Sequence, residues 1–123
     1  MILEGKQIIG NTIEAGPGAS FQAVDPSNGE TLPPEFLSAD SKQVERACQL
    51  AWDAFDAYRE TSLETRAKFL ETIAEEIEAI GEQITERALQ ETGLPRARLE
   101  GERGRTCGQL RLFAGVVRAG EWL

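Results

Sequence analysis

The 123-residue chain has a formal net charge of −8, no histidine and two cysteines. An acidic surface repels phosphate groups and argues against nucleic acid or an anionic membrane as partner, and without histidine the commonest zinc ligand and general base are missing. With two thiols, no apolar run of membrane-spanning length and no signal-peptide pattern, we expect a soluble cytoplasmic protein without a disulfide framework.

The first 37 residues are rich in glycine, proline and asparagine and predict a strand and turn segment. A turn is expected over 25–29, because Pro26 fixes φ and Asn28-Gly29 tolerates positive φ. Pro33-Pro34 is expected to break the extended pattern. The extended segments predicted before it are 6–9, 20–24 and 30–32.

Residues 38–123 predict three helices. The first begins near Ser41 with Asp40 as its N-cap. The second begins after Ser62 and ends at Gly93, and Gly81 is expected to kink or divide it. Its many glutamates predict a solvated face rather than a metal site. The first helix has one apolar face, formed by Val44, Ala47, Cys48, Ala51, Phe55 and Tyr58; that of the second is Phe69, Leu70, Ile73, Ile77, Ile80 and Ile84.

The third predicted helix, 96–119, has two different sides. Leu99, Leu110, Phe113, Ala114 and Val117 form an apolar side. Four glycines fall within a narrow arc on the other side at about 100° per residue. Since a mid-helix glycine costs about 1 kcal/mol relative to alanine, we expect another backbone to approach closely there. This glycine face comprises Gly101, Gly104, Gly108 and Gly115.

Two candidate sites are better explained by structure. The loop Gly16-Pro17-Gly18 begins like a dinucleotide fingerprint, but a strand is predicted after it where a helix is required. Cys107 borders the apolar side of the third helix, and Cys48 lies on the face of the first. Both thiols are predicted to be buried packing groups rather than nucleophiles.

The arginines of the third helix are the candidates for ligand binding, because a guanidinium binds carboxylates bidentately. For most of them we expect structural ion pairs with Glu100, Glu102 or acids elsewhere. Arg105 differs because it borders the glycine face, and Gln109 follows one turn later on the same side. These two residues are the strongest candidates for a ligand site on this helix, and we assign no catalytic, cofactor-binding or metal-binding residue.

The stretch Glu91-Thr92-Gly93-Leu94-Pro95, followed by Arg98, Glu102, Arg105-Thr106 and Gln109-Leu110-Arg111, resembles the N-terminal region of NAD(P)-dependent aldehyde dehydrogenases. It is most similar to the subgroup that oxidises 2-oxoglutarate semialdehyde (2,5-dioxopentanoate). The turn Asp25-Pro26-x-x-Gly29-Glu30 is similar to the family's Asn-Pro-x-x-Gly-Glu.

The resemblance implies an α/β parent enzyme about four times as long, with a Rossmann-type cofactor domain to which 38–123 contributes an incomplete helical part. It implies NAD or NADP as the parent's cofactor and a homodimer or homotetramer. It also implies that the third helix borders the substrate tunnel, with Arg105 and Gln109 as substrate-binding residues. The family's catalytic residues match no position here, so we expect the segment alone to be inactive and to bind no cofactor. The remainder of the parent chain would be its partner and a small-molecule aldehyde its substrate.

A different class of protein is the alternative: a free-standing helical interaction module derived from that scaffold. Its glycine face would then be the partner surface. The reading frame after Leu123 discriminates between the two hypotheses, because only the enzyme requires a cofactor region and a cysteine to follow.

Overall fold

The structure is a computed structural model that describes residues 3–121. These residues form four short strands and four helices, so the segment is mostly helical with strands at its N-terminus, as predicted. Two compact units are present, Met1–Arg59 and Glu60–Leu123. No helix in the described part of the chain is long and apolar enough to span a membrane. The elements are β1 (Gln7–Ile9), β2 (Thr12–Glu14), β3 (Ser20–Val24), β4 (Thr31–Leu37), α1 (Ser41–Arg59), α2 (Leu63–Ala79), α3 (Gly81–Thr92) and α4 (Arg96–Ala119).

The first unit contains two separate antiparallel hairpins, β1 with β2 and β3 with β4. Strand β2 was not predicted. It pairs with β1 so that Ile9 faces Thr12, which leaves Gly10 and Asn11 as a two-residue loop. Gly10 has φ +59° and Asn11 does not have positive φ, which is the pattern of a type II′ hairpin turn.

The expectation that Pro33-Pro34 breaks the extended pattern was wrong, because β4 runs through both prolines. The register with β3 shifts between Phe21 and Ala23, and the prolines lie opposite this irregularity. Proline lacks the N–H that a regular ladder needs, so a bulge is one place where a strand tolerates it.

Helix α1 begins as predicted, since the backbone N–H of Gln43 donates to the Asp40 carboxylate over 2.8 Å. The prediction that Cys48 is buried was wrong: the thiol is exposed, and α1 contains no buried residue. Within its unit the helix contacts the small β1–β2 hairpin, through the ion pair between Arg46 and Glu14 for example. A hairpin of three-residue strands is too small to cover a helix of 19 residues.

The second unit is a helical hairpin in which α2 and α3 form one arm and α4 the other. Ser62 caps α2 by accepting from the Thr65 N–H, as expected for the start of this helix. The predicted second helix is divided at Ile80, immediately before Gly81, so four helices are present where three were expected. Gly93, with φ +65°, ends α3 in the left-handed conformation that favours glycine.

Small side chains form the seam between α2 and α4. Ala67 and Ala74 lie seven residues apart on α2, and Cys107 and Ala114 lie seven apart on α4; all four are buried. A spacing of seven residues repeats the same face after two helical turns. Because these side chains are short, the two antiparallel backbones can approach closely.

Candidate functional site

Four arginines on one edge of α4 tether it to the opposite arm of the hairpin, beginning with Arg96, which pairs with Glu82 over 3.0 Å and with Glu86. Arg118 forms ion pairs with Glu64 and Glu71, at 2.6 and 2.9 Å. Arg111 donates through both terminal nitrogens to Glu78, at 2.7 and 2.6 Å. The fourth tether is Arg103. Together they fix which residues of α4 face α2 and α3, and which face outward.

Arg103 binds neutral acceptors in place of a carboxylate. Its Nη1 donates to the carbonyl oxygen of Gly81 and, over 2.7 Å, to the hydroxyl of Thr85. Thr85 is 1% exposed and is the buried polar residue of this unit. A Cβ on Gly81 would lie 2.8 Å from Nη1, so glycine leaves the space that the guanidinium fills.

The ion pairs shift the protonation of the glutamates on α2. The Arg118 guanidinium lowers the pKa of Glu64 and of Glu71 through direct hydrogen bonds. The hydrogen bonds from Arg111 lower the pKa of Glu78 in the same way. These carboxylates are therefore held ionised, as expected for structural ion pairs.

Arg105 and Gln109, the two predicted substrate-binding residues, line one groove of about 400 Å³ between α4 and α2. They lie one turn apart on the outer side of α4, and both are exposed. The other lining residues are Leu70, Thr106, Leu110 and Phe113. The groove thus has a polar wall with a cation and an apolar wall, a combination suited to a small molecule with one anionic end.

The neighbouring acids on α4 are engaged by other arginines. Glu102 accepts from Arg98 over 3.1 Å, and Glu100 lies 3.6 Å from Arg96. The expectation of structural ion pairs is confirmed for these two arginines and for Arg111. Within residues 3–121, Arg105 forms no ion pair or side-chain hydrogen bond, so its guanidinium is available to a ligand.

The glycine face of α4 lies open on the side away from α2. A Cβ built on Gly101, Gly104, Gly108 or Gly115 would meet no atom of the described residues within 4 Å. Leu112 and Val116 on the same side are 54% and 45% exposed. The close approach of another backbone to this face stays a prediction.

Neither Cys107 nor the loop Gly16-Pro17-Gly18 has the geometry of a reactive site. Cys107 is 1% exposed, and its Sγ lies 3.7 Å from the carbonyl oxygen of Ala74, so the prediction of a buried packing group is confirmed. Gly16 and Gly18 lie against the carbonyl of Ser38, where a Cβ on either would collide, and β3 follows them. In the described part of the chain no group of three His, Cys, Asp or Glu side chains is placed to hold a metal ion.

Sequence reasoning placed Leu70 and Phe113 on apolar faces and missed their position in the groove. A signal was available for Phe113, because positions 105, 109 and 113 follow one another at four-residue spacing along one side of a helix. Leu70 comes from the other arm of the hairpin, and only the pairing of α2 with α4 brings it to the site. Arg103 was grouped with the ion-paired arginines, and its neutral acceptors could not be read from the sequence.

Residues 13–121 match the model of the aldehyde dehydrogenase family. The chain is 57% identical over 124 residues to alpha-ketoglutaric semialdehyde dehydrogenase 2 of Azospirillum brasilense, covering 100% of this chain and 24% of that protein. It is 40% identical over 118 residues to alpha-ketoglutaric semialdehyde dehydrogenase of Acinetobacter baylyi, covering 96% and 22%. A point mutant of Staphylococcus aureus betaine aldehyde dehydrogenase in complex with NAD+ superposes with a TM-score of 0.86 at 21% identity, covering 95% of this chain and 24% of that one. The chain spans about a quarter of the length of the curated relatives it matches.

Proposed function

The chain belongs to the aldehyde dehydrogenase family, and from this premise we propose that it forms the N-terminal part of an enzyme that oxidises an aldehyde to the acid with NAD+ or NADP+. Its relatives named as semialdehyde dehydrogenases support a substrate that carries a carboxylate far from the aldehyde, such as 2-oxoglutarate semialdehyde. The segment contributes a helical scaffold and part of the substrate site. The reacting groups come from the remainder of the parent chain.

The position of Arg105 in the groove is the observation that carries the substrate proposal. Its guanidinium faces a groove, is exposed, and has no carboxylate partner among residues 3–121. A guanidinium can donate two parallel hydrogen bonds to a carboxylate, which fixes the orientation of the substrate as well as its affinity. Gln109, one turn further along, is placed to donate its amide N–H groups to the same carboxylate.

The apolar wall of the groove complements the middle of such a substrate. Leu70, Leu110 and Phe113 can contact the carbon chain between the carboxylate and the aldehyde. Burial of apolar surface contributes about 0.8 kcal/mol per methylene group, less than a charge-assisted hydrogen bond. Arg105 therefore fixes the orientation of the carboxylate, and the apolar wall adds affinity along the carbon chain.

The loop Gly16-Pro17-Gly18 lacks the geometry that would hold the phosphates of a nicotinamide cofactor. A phosphate cradle requires free backbone N–H groups at a helix N-terminus, whereas the N–H of Gly18 donates to the Ser38 carbonyl over 2.9 Å and a strand follows. We assign cofactor binding to the remainder of the parent and none to this segment. Calorimetry on the isolated chain is expected to show no saturable NAD+ or NADP+ binding, and a micromolar constant would reject this assignment.

Substitution of Arg105 in the full-length enzyme tests the substrate proposal. A charge-assisted contact is worth about 1.5–3 kcal/mol, so Arg105→Ala should lower kcat/KM for 2-oxoglutarate semialdehyde roughly ten- to a hundredfold. An uncharged aldehyde of similar length should lose much less. Arg98→Ala is the matched control, because it removes the same charge from an exposed position of α4 where Glu102 is the partner. Equal losses for both aldehydes with Arg105→Ala, together with a lower Tm, would show a structural role and reject carboxylate binding.

A further inference from the structure

The segment of α4 that presents Arg105 is intrinsically weak. Gly101, Gly104 and Gly108 all lie within four residues of it, and nothing covers them in the described part of the chain. Each glycine lowers the helix propensity relative to alanine and frees the backbone. A binding arginine must nevertheless be held within about half an ångström of its productive position. Something other than helix propensity must therefore hold this turn.

The inward side of the same turn supplies that restraint. Arg103, two residues before Arg105, donates to the Gly81 carbonyl and to the buried Thr85 hydroxyl. Arg96 anchors the first turn of α4, and Arg111 and Arg118 anchor its later turns, all through exposed glutamates and outside the glycine-rich stretch 101–108. Among the arginine tethers, Arg103 alone anchors the turn that carries Arg105.

Thr106 connects the two sides of this turn. It lines the groove of Arg105 and Gln109, and also a second groove of about 310 Å³ that Arg103 and Thr85 line. Its hydroxyl donates to the carbonyl oxygen of Glu102 over 3.0 Å. A shift of α4 at Arg103 would therefore change the wall of the substrate groove as well as the direction of Arg105.

We propose that Arg103 is a positioning residue that holds the glycine-rich turn 101–108 against Gly81 and Thr85, and so fixes Arg105 for carboxylate binding. The inference rests on the proposed role of Arg105. Arg103 does not touch the substrate and acts through Arg105. Its neutral acceptors suit this role, because hydrogen bonds to a carbonyl and a buried hydroxyl keep their geometry when the glutamates of the surface titrate.

A double-mutant cycle in the full-length enzyme tests this proposal. The quantity measured is the ratio of kcat/KM for 2-oxoglutarate semialdehyde to kcat/KM for an uncharged aldehyde of similar length. Arg103→Gln should lower this ratio about tenfold, because a displacement of about 1 Å can cost a hundredfold in rate. In an Arg105→Ala background the same substitution should leave the ratio unchanged. A residue that only stabilises the fold would lower both activities equally in both backgrounds, and that result would overturn the proposal.

Two milder variants keep the test valid if Arg103→Gln folds poorly. Arg103→Lys retains the charge but not the planar fork and should lower the ratio less. Thr85→Val removes one acceptor while preserving shape and should act in the same direction as Arg103→Lys. An unchanged ratio in both milder variants would also overturn the proposal. If Arg105→Ala itself leaves the ratio unchanged, the carboxylate-binding role fails and the positioning role falls with it; a selective loss with Arg105→Ala and none with the Arg103 variants rejects the positioning role alone.

Discussion

The Sγ atom of Cys107 lies 3.7 Å from the carbonyl oxygen of Ala74, at the centre of the seam between α2 and α4. Both residues are almost completely buried, and the neighbouring seam residues Ala67 and Ala114 are equally small. A thiol packs here as a small apolar group with one weak hydrogen bond. With the thiol 1% exposed among the described residues, a substrate has no access to the sulfur.

Replacing Cys107 with serine should therefore destabilise the enzyme without altering its chemistry. The shorter C–O bond moves the hydroxyl away from the Ala74 carbonyl, so a polar group is buried without an assured partner. We expect a loss of about 1–3 kcal/mol in stability, seen as a lower Tm, with kcat unchanged at temperatures where the protein is folded. Cys107→Ala is the control, because it introduces no polar group. Loss of activity at an unchanged Tm would contradict the packing role.

The two cysteines show where sequence reasoning succeeds and where it stops. Cys48 and Cys107 both occupy an apolar helical face, and that pattern predicted burial for both. Only Cys107 is buried, because α2 supplies a partner face, whereas the β1–β2 hairpin is too small to cover α1. Periodicity identifies a face that can be buried, but burial depends on a partner element that the local pattern does not specify.

Local chemistry was the more reliable guide. The predicted helix ends at Asp40, Ser62 and Gly93 are confirmed, because a helix end depends on residues close in sequence. Likewise Arg105 and Gln109 line one groove because four-residue spacing places them on one side of α4. Leu70 and the acceptors of Arg103 come from the other arm of the hairpin, so only tertiary pairing reveals them.

Acid should weaken the contact between α2 and α4. Hydrogen bonds from Arg118 lower the pKa of Glu64 and Glu71 below their ordinary value of 4.5. A lowered pKa in the folded state means that the stabilisation is complete above about pH 4.5 and is lost as the pH falls through the folded-state values. Arg118→Gln should therefore destabilise the hairpin above this pH and have little effect well below it.

Denaturant titrations of the chain, followed by circular dichroism on both sides of pH 4.5, would measure this effect. Arg98→Gln provides the comparison, since its ion pair with Glu102 lies within α4 and does not join the two arms. A destabilisation by Arg118→Gln that is equal at acid and neutral pH would contradict the role of these glutamates.

The isolated chain should self-associate. Trp52 and Phe55 on α1 are 78% and 58% exposed, and the cross-strand pair Ile8 and Ile13 is 77% and 64% exposed. Exposed apolar surface of this kind drives association. Sedimentation velocity should show an average mass that rises with concentration, and a Trp52→Gln, Phe55→Gln variant should shift it toward monomer. Asp56→Asn changes the same helix without removing apolar surface and should not. A strict monomer with a sharp, concentration-independent melt would reject this prediction.

The substitution Gln109→Glu tests whether Gln109 contacts the substrate carboxylate or only lines the groove. Gln109→Glu places a negative charge one turn from Arg105, where it can pair with the guanidinium and repel the substrate carboxylate. We expect kcat/KM for 2-oxoglutarate semialdehyde to fall as far as with Arg105→Ala, roughly ten- to a hundredfold. Gln109→Ala removes a hydrogen bond to the carboxylate but leaves Arg105 free to pair with it and introduces no repulsion, so it should cost less than Gln109→Glu.

The kcat/KM for an uncharged aldehyde should change little in both Gln109 variants, because this substrate has no carboxylate at that end of the groove. Added salt should recover part of the loss with Gln109→Glu, since the introduced charge is exposed and therefore screened. Gln90→Glu makes the same charge change at an exposed position of α3 and controls for the altered net charge. If the alanine and glutamate variants of Gln109 lost the same activity toward the semialdehyde, the introduced charge would not lie beside the bound carboxylate, and the assignment of Gln109 to the substrate site would have to be abandoned.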